Sequence, residues 1–272
     1  MKALLLTALL LPLLTACAST HRTTASADRF RTFITPADLD RLMREHTLGD
    51  DLILIDARSA EAYAKGHLPG AINLPPDALR TAKAKPGEGR SQYLFRDGDP
   101  DLGPLDAGRY ARVFGDAGVE ATDTVVVYGN HAGKGDGSVP VMILDMLGHR
   151  GALHFIDGIG VDRYTEAGGT LTTEPTALPA STYAATPREG VVWDRTDVRD
   201  HLGDPTVVFY DTRSADEFTG RERRNNPRGG HLPGAVHLDY AALLDSRKNV
   251  VSPATLARPA RSIPLDRNIS VA

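Results

Sequence analysis

Two short patterns of ionisable residues occur twice in this chain, in the same order. Leu52-Ile-Leu-Ile-Asp-Ala-Arg-Ser-Ala-Glu-Ala-Tyr63 matches Val207-Val-Phe-Tyr-Asp-Thr-Arg-Ser-Ala-Asp-Glu-Phe218, which pairs Asp56 and Arg58 with Asp211 and Arg213. Gly66-His-Leu-Pro-Gly-Ala-Ile72 matches Gly230-His-Leu-Pro-Gly-Ala-Val236, which pairs His67 with His231. The offset is 155 residues at the aspartates and 164 at the histidines, so the second copy holds nine more residues, within Gly220–Gly229. An aspartate and an arginine two residues apart at the end of a strand can pair and fix the loops around them. A histidine in a tight Gly/Pro turn serves the loop backbone through its ring nitrogens. These six residues are therefore expected to brace loops rather than to react. Cys17 is the single cysteine, which excludes an intrachain disulfide and a multi-cysteine zinc site.

Other patterns offer binding chemistry. Arg221, Arg223, Arg224 and Arg228 crowd the inserted segment of the second copy. Arg223, Arg224 and Arg228 are candidate anion contacts, as is Ser138, placed to cap a helix behind the glycine-rich stretch Gly129–Gly137. Gly129-Asn-His-Ala-Gly-Lys-Gly135 is one residue short of a nucleotide-binding phosphate loop, and no hydroxyl residue follows its lysine. Asp97-Gly-Asp-Pro-Asp101 starts like a calcium loop but has Leu102 where that loop needs glycine and Gly108 where it needs glutamate, so it reads as a solvated acidic turn. Nine histidines lie scattered without metal-ligand spacing, so no metal is expected. No Gly-x-Ser-x-Gly elbow marks a serine hydrolase. No cofactor is implied.

The elements that must position these residues alternate between strand and helix. Thr35-Pro36-Ala37-Asp38 forms a capping box with proline at the first helical position. Leu39, Leu42 and Met43 then give that helix one apolar face, and Gly49 closes it. Leu52–Ile55, Thr124–Tyr128 and Leu153–Ile156 are apolar runs of the kind buried on both faces of a parallel sheet. Between the last two, Val141, Met142, Ile143, Leu144, Met146 and Leu147 make a helix apolar nearly all round, which predicts its burial. Such alternation implies an α/β fold with a parallel, two-sided sheet. Trp193 is expected to pack at the start of the second copy.

Composition narrows the partners. Of 272 residues, 31 are basic and 35 acidic, a net charge of −4, which argues against a nucleic-acid binder. With 41% hydrophobic and 24% charged residues the chain can fill a globular core. The N-terminus reads as an address. Lys2 precedes an apolar run, Ala3–Leu14, too short to span a bilayer. Leu14-Thr15-Ala16-Cys17 follows and resembles a bacterial lipobox, whose thioether chemistry needs a thiol. Residues 1–16 are then a lipoprotein signal peptide, Cys17 the lipidation site, and 17–34 a flexible tether. Ala18 resembles the sorting pattern of the outer membrane. The implied location is the periplasmic side of the bacterial cell envelope, anchored by lipid.

The paired patterns, the valine-rich strand, the loop and helix behind it, and Phe155-Ile-Asp-Gly158 together resemble a rhodanese domain. Two copies are similar to the tandem-domain thiosulfate and 3-mercaptopyruvate sulfurtransferases. The resemblance implies an α/β fold of two rhodanese-like modules with parallel central sheets: a first domain over 35–170, a linker over 171–190 and a second, incomplete domain over 191–272. It implies transfer of sulfane sulfur from a small anionic donor to a thiol or cyanide through a cysteine persulfide. In the family the first domain is inert, and here its cysteine slot holds Gly129. Pro264-Leu-Asp-Arg267 and Ile269–Ala272 match the lead-in and strand of the second slot, which would fall just after Ala272. Residues 1–272 are therefore expected to lack the catalytic cysteine. The alternative expectation is a non-catalytic, membrane-tethered module that binds an anion or a protein partner of unknown identity.

Overall fold

A computed structural model describes residues 33–79, 107–130, 137–156, 158, 160–191, 193, 195–224, 226–250 and 270–271. Cys17, Asp97–Asp101, the loop interior 131–136 and Pro264–Arg267 lie outside the described residues.

The chain enters at β1 (Phe33–Ile34) and α1 (Pro36–Glu45). The capping box forms: the Asp38 amide donates to Thr35 Oγ1 at 3.3 Å and the Thr35 amide to Asp38 Oδ2 at 2.9 Å. There follow β2 (Leu52–Asp56), α2 (Ala60–Lys65), β3 (Ala71–Asn73), α3 (Pro76–Leu79), α4 (Ala107–Asp116), β4 (Thr124–Tyr128), α5 (Ser138–Met146), β5 (Leu153–Ile156) and α6 (Gly160–Glu166). The strands form one parallel sheet in the order β1-β5-β4-β2-β3. Successive residues point to opposite faces. Ile53, Ile55, Val125 and Val127 join Tyr110, Phe114, Ile143 and Leu144 in one core, while Leu52, Leu54 and Val126 join Leu39, Leu42 and Ile156 in the other. This two-sided burial explains why the strands are continuous apolar runs.

The structure departs from the sequence reading in several places, beginning with the first helix, which ends at Glu45 with His46 as its cap and not at Gly49. The tether expected to reach residue 34 gives way to strand two residues earlier. Phe33 and Ile34 pair with Phe155 and Ile156, and Ile34 is buried. Helix α5 is capped by Gly137 with no side-chain capping bond, so Ser138 is its exposed first residue rather than its cap. Nor is that helix buried all round, because Met142 is 40% exposed.

Of the expected linker over 171–190, residues 171–188 run as a strap along the sheet unit. Thr172 forms an antiparallel bridge with His67. Further on, the Ser181 amide donates to Gly115 O at 2.8 Å and the Thr186 amide to Leu147 O at 2.8 Å. Tyr183 is buried, its hydroxyl 3.0 Å from His149 Nδ1. Proline- and threonine-rich sequence without periodicity gives no sign of such docking.

Beyond the strap lie α7 (Arg195–Asp200), β6 (Val207–Val208), β7 (Tyr210–Asp211), α8 (Ala215–Phe218), β8 (Val236–His237), a short 3-10 turn (Tyr240–Leu243) and β9 (Ser270–Val271). Strand β7 pairs with β8 in parallel, Tyr210 with Val236 and Asp211 with His237. Strand β2 pairs with β3 through Ile55 with Ile72 and Asp56 with Asn73, the same register at the two sequence offsets. Strand β6 pairs in parallel with β9, as β2 does with β4.

Candidate functional site

Strands β2 and β7 each end in an aspartate that reaches past the sheet. Arg58 binds Asp56 in a fork, with Nε 3.0 Å from Oδ1 and Nη2 2.6 Å from Oδ2, and its amide donates to Oδ1 at 2.9 Å. Nη2 also donates to Gly66 O at 2.7 Å, which ties the strand end to the turn that carries His67. Asp56 is wholly buried and Arg58 nearly so. Burial works against the charged guanidinium, but the bonds to Asp56 outweigh it and hold its pKa above the ordinary arginine value. The Arg58 guanidinium also lies 5.7 Å from the Tyr128 ring centroid.

The same brace recurs on β7. Arg213 Nε lies 2.9 Å from Asp211 Oδ1, Nη2 lies 2.5 Å from Oδ2, and Nη2 donates to Gly230 O at 2.8 Å. The bond from Arg213 holds the Asp211 carboxyl below its ordinary pKa. The histidines repeat as well. His67 stacks on Tyr63 at 3.6 Å with Nδ1 2.9 Å from Tyr63 O, and His231 stacks on Phe218 at 3.7 Å with Nδ1 2.7 Å from Phe218 O. All six bracing residues are brought together in two sets of three.

The partners that complete each brace lie outside the repeated ionisable pattern. Asn73 Nδ2 donates to Arg58 O at 2.9 Å, and His237 Nε2 lies 2.9 Å from Arg213 O. Tyr63 and Phe218 supply the aromatic floor. Their signal was an aromatic residue at the same repeat position, five residues after each arginine.

The two sets differ in exposure. His67 is sealed beneath the strap, with Nε2 3.0 Å from Glu174 O. His231 is exposed on a cleft of about 930 Å³. Met142 of α5 forms one wall of this cleft, Trp193 and Phe209 another, and Asp211–Arg213 with Arg228–Leu232 its polar end. The volume falls in the range of small-molecule sites. Trp193 sits against His201 and Phe209, with ring centroids 4.3 and 6.2 Å away.

The candidate anion contacts are dispersed. Arg228 lines the cleft and makes no ion pair with another described residue. Arg224 is taken up by Glu217, with Nε 3.1 Å from Oε1, which holds the Glu217 carboxyl below its ordinary pKa. That pairing removes Arg224 from the anion set. Arg223 is exposed and lies outside the cleft lining, as does Ser138. Gly129, at the end of β4, has no side chain to offer. Among the described residues no group of His, Cys, Asp and Glu could hold a metal ion, and no helix is long and apolar enough to cross a membrane.

Residues 35–160 match the family model of the rhodanese-like domain. A thiosulfate sulfurtransferase of Azotobacter vinelandii is 29% identical over 212 residues, covering 78% of this chain and 70% of its own length. The crystal structure of SseA from Escherichia coli, described with the “Rhodanese” fold of 3-mercaptopyruvate sulfotransferases, superposes with a TM-score of 0.66 at 19% identity, over 89% of this chain and 87% of that one. Wild-type EanB superposes with a TM-score of 0.68 at 16% identity, over 90% of this chain but 60% of its own. The fold is thus the rhodanese fold, α/β with a parallel central sheet, and residues 35–160 carry a rhodanese-like domain.

Proposed function

We propose that this chain is a tandem rhodanese-type sulfurtransferase polypeptide, with one module over 35–170 and a second beginning at 191. The observation that carries the reading is the brace built twice: Asp56–Arg58–Gly66 and Asp211–Arg213–Gly230 share the Nε–Oδ1, Nη2–Oδ2 and Nη2–carbonyl bonds, at strand ends where α/β sheets bind ligands. The braces position; they do not react. Sulfur transfer needs a thiolate that attacks the donor's outer sulfur, breaks its sulfur–sulfur or carbon–sulfur bond with the electron pair leaving on sulfite or on the enolate of pyruvate, and holds the sulfur as a persulfide until an acceptor removes it. Gly129 cannot do this, which makes the first module a scaffold. Cys17 is the only thiol in residues 1–272, and we assign it to lipid attachment at the cell envelope. Polypeptide 1–272 thus binds the donor without turning it over.

The donor is a small anion such as thiosulfate or 3-mercaptopyruvate, held near Arg228 in the cleft. The sole tryptophan, Trp193, lines that cleft and reports on it. Titration with either anion should change its fluorescence saturably, and Arg228→Ala should weaken binding about tenfold, the worth of one charged hydrogen bond. A featureless titration with both anions, or one indifferent to Arg228→Ala, contradicts the reading. The anchor is tested by growing cells with a tagged fatty acid. The wild-type chain should take up the label and Cys17→Ala should not; equal labelling of both refutes the assignment.

A further inference from the structure

We infer that the edge of the second module at Gly230–Leu232 is a seat for an extended polypeptide segment, held as the first module holds its own strap. The inference rests on the two-module reading. On the first module the seat is filled. The His67 amide donates to Thr172 O at 3.0 Å, and the Thr172 amide donates back to His67 O at 2.9 Å. His67 Nε2 meets Glu174 O at 3.0 Å, and the Thr176 amide donates to the Tyr63 hydroxyl at 3.0 Å. Leu171 covers Gly66, where an added methyl would meet its Cδ1 at 3.3 Å.

The second module presents the same turn, which no described residue covers. His231 stacks on Phe218 as His67 does on Tyr63, and Arg213 fixes Gly230 O as Arg58 fixes Gly66 O. Yet the backbone amide, the backbone carbonyl and Nε2 of His231 have no hydrogen-bond partner among the described residues. A methyl added at Gly230 meets none of the described residues within 4 Å.

A donor and an acceptor on one backbone residue, beside an open apolar spot, match another backbone and not a simple anion, which brings acceptors only. The occupant is therefore an extended peptide with a leucine over Gly230, a small hydroxyl residue opposite His231, and a carbonyl two residues further on for Nε2. The pattern Leu171-Thr172-Thr173-Glu174 is the template. Phe218 lacks the hydroxyl that Tyr63 offers to Thr176, so the second seat has one bond fewer.

The test uses the full chain and a fluorescein-labelled peptide of residues 170–178, followed by anisotropy. Saturable binding is expected. Proline in place of Thr172 in the peptide should weaken it at least about fivefold by removing the donated N–H, and His231→Ala should weaken it comparably. Phe218→Tyr should tighten binding by about two- to tenfold, a gain that a merely unfolded variant cannot produce. Absence of saturable binding, or binding indifferent to the proline peptide and to Phe218→Tyr, overturns the seat. The Trp193 titration with thiosulfate is read separately. Donor binding without peptide binding overturns the seat alone, and loss of donor binding overturns the functional reading.

Discussion

Asp56 and Asp211 are each forked by an arginine two residues on, in different surroundings, and the worth of each pair follows from burial. Around Asp56 the pair is out of water, so removing one partner strands a buried charge at a cost of about 3–5 kcal/mol. Arg213 has 41% of its side chain exposed, and an exposed pair contributes about 1 kcal/mol or less. Denaturant unfolding should therefore show Asp56→Asn far more damaging than Asp211→Asn; equal losses would contradict the burial argument. The acid limb should distinguish Asp211 further. Its folded pKa is depressed by Arg213, so its contribution is complete above the unfolded carboxylate value of about 3.9 and fades as pH falls below it. Asp211→Asn should flatten that acid-side loss and leave the neutral-to-alkaline side unchanged. The bracing pairs were legible because two charges at a fixed spacing recurred together. The fate of Arg224 was not, because its partner Glu217 lies seven residues back on a helix that only the fold turns towards it.

At the scale of elements, β2, β4 and β5 could be read from apolar runs, and α1 from its capping box. Strand β1 could not, since two residues carry no periodicity and Phe33–Ile34 become strand only by lying beside β5. The strap is the larger omission. Its anchors are backbone amides given to carbonyls at the ends of α4 and α5, groups that every sequence possesses. The strap passes so close to Gly148 that an added methyl would lie 2.0 Å from Thr186 O, at a backbone φ of 71°. Gly148→Ala should therefore lift this end of the strap and cost about 1–3 kcal/mol. Unfolding should register the loss, and limited proteolysis should cut within 171–188 faster than in the wild type. Unchanged stability and cleavage would show that the strap is not fastened there.

For the whole molecule, matched blocks recur in the sequence in the same order, and two pairings of β3 with β2, Ile55 with Ile72 and Asp56 with Asn73, recur at those offsets in β8 with β7. The cleft was not visible. It joins Met142 of the first sheet unit to Trp193 and Arg228, which sequence separation hides. The halves also touch through Arg247 and Glu166, an ion pair between residues far apart in the chain. In the proposed function these halves bind and position a sulfur donor, and sulfur itself moves only through a cysteine, which position 129 does not supply. The most direct test is thiocyanate formation by purified residues 1–272 carrying Cys17→Ala, supplied with thiosulfate and cyanide. No thiocyanate should appear above the rate without protein; sustained turnover by this thiol-free chain would contradict the account.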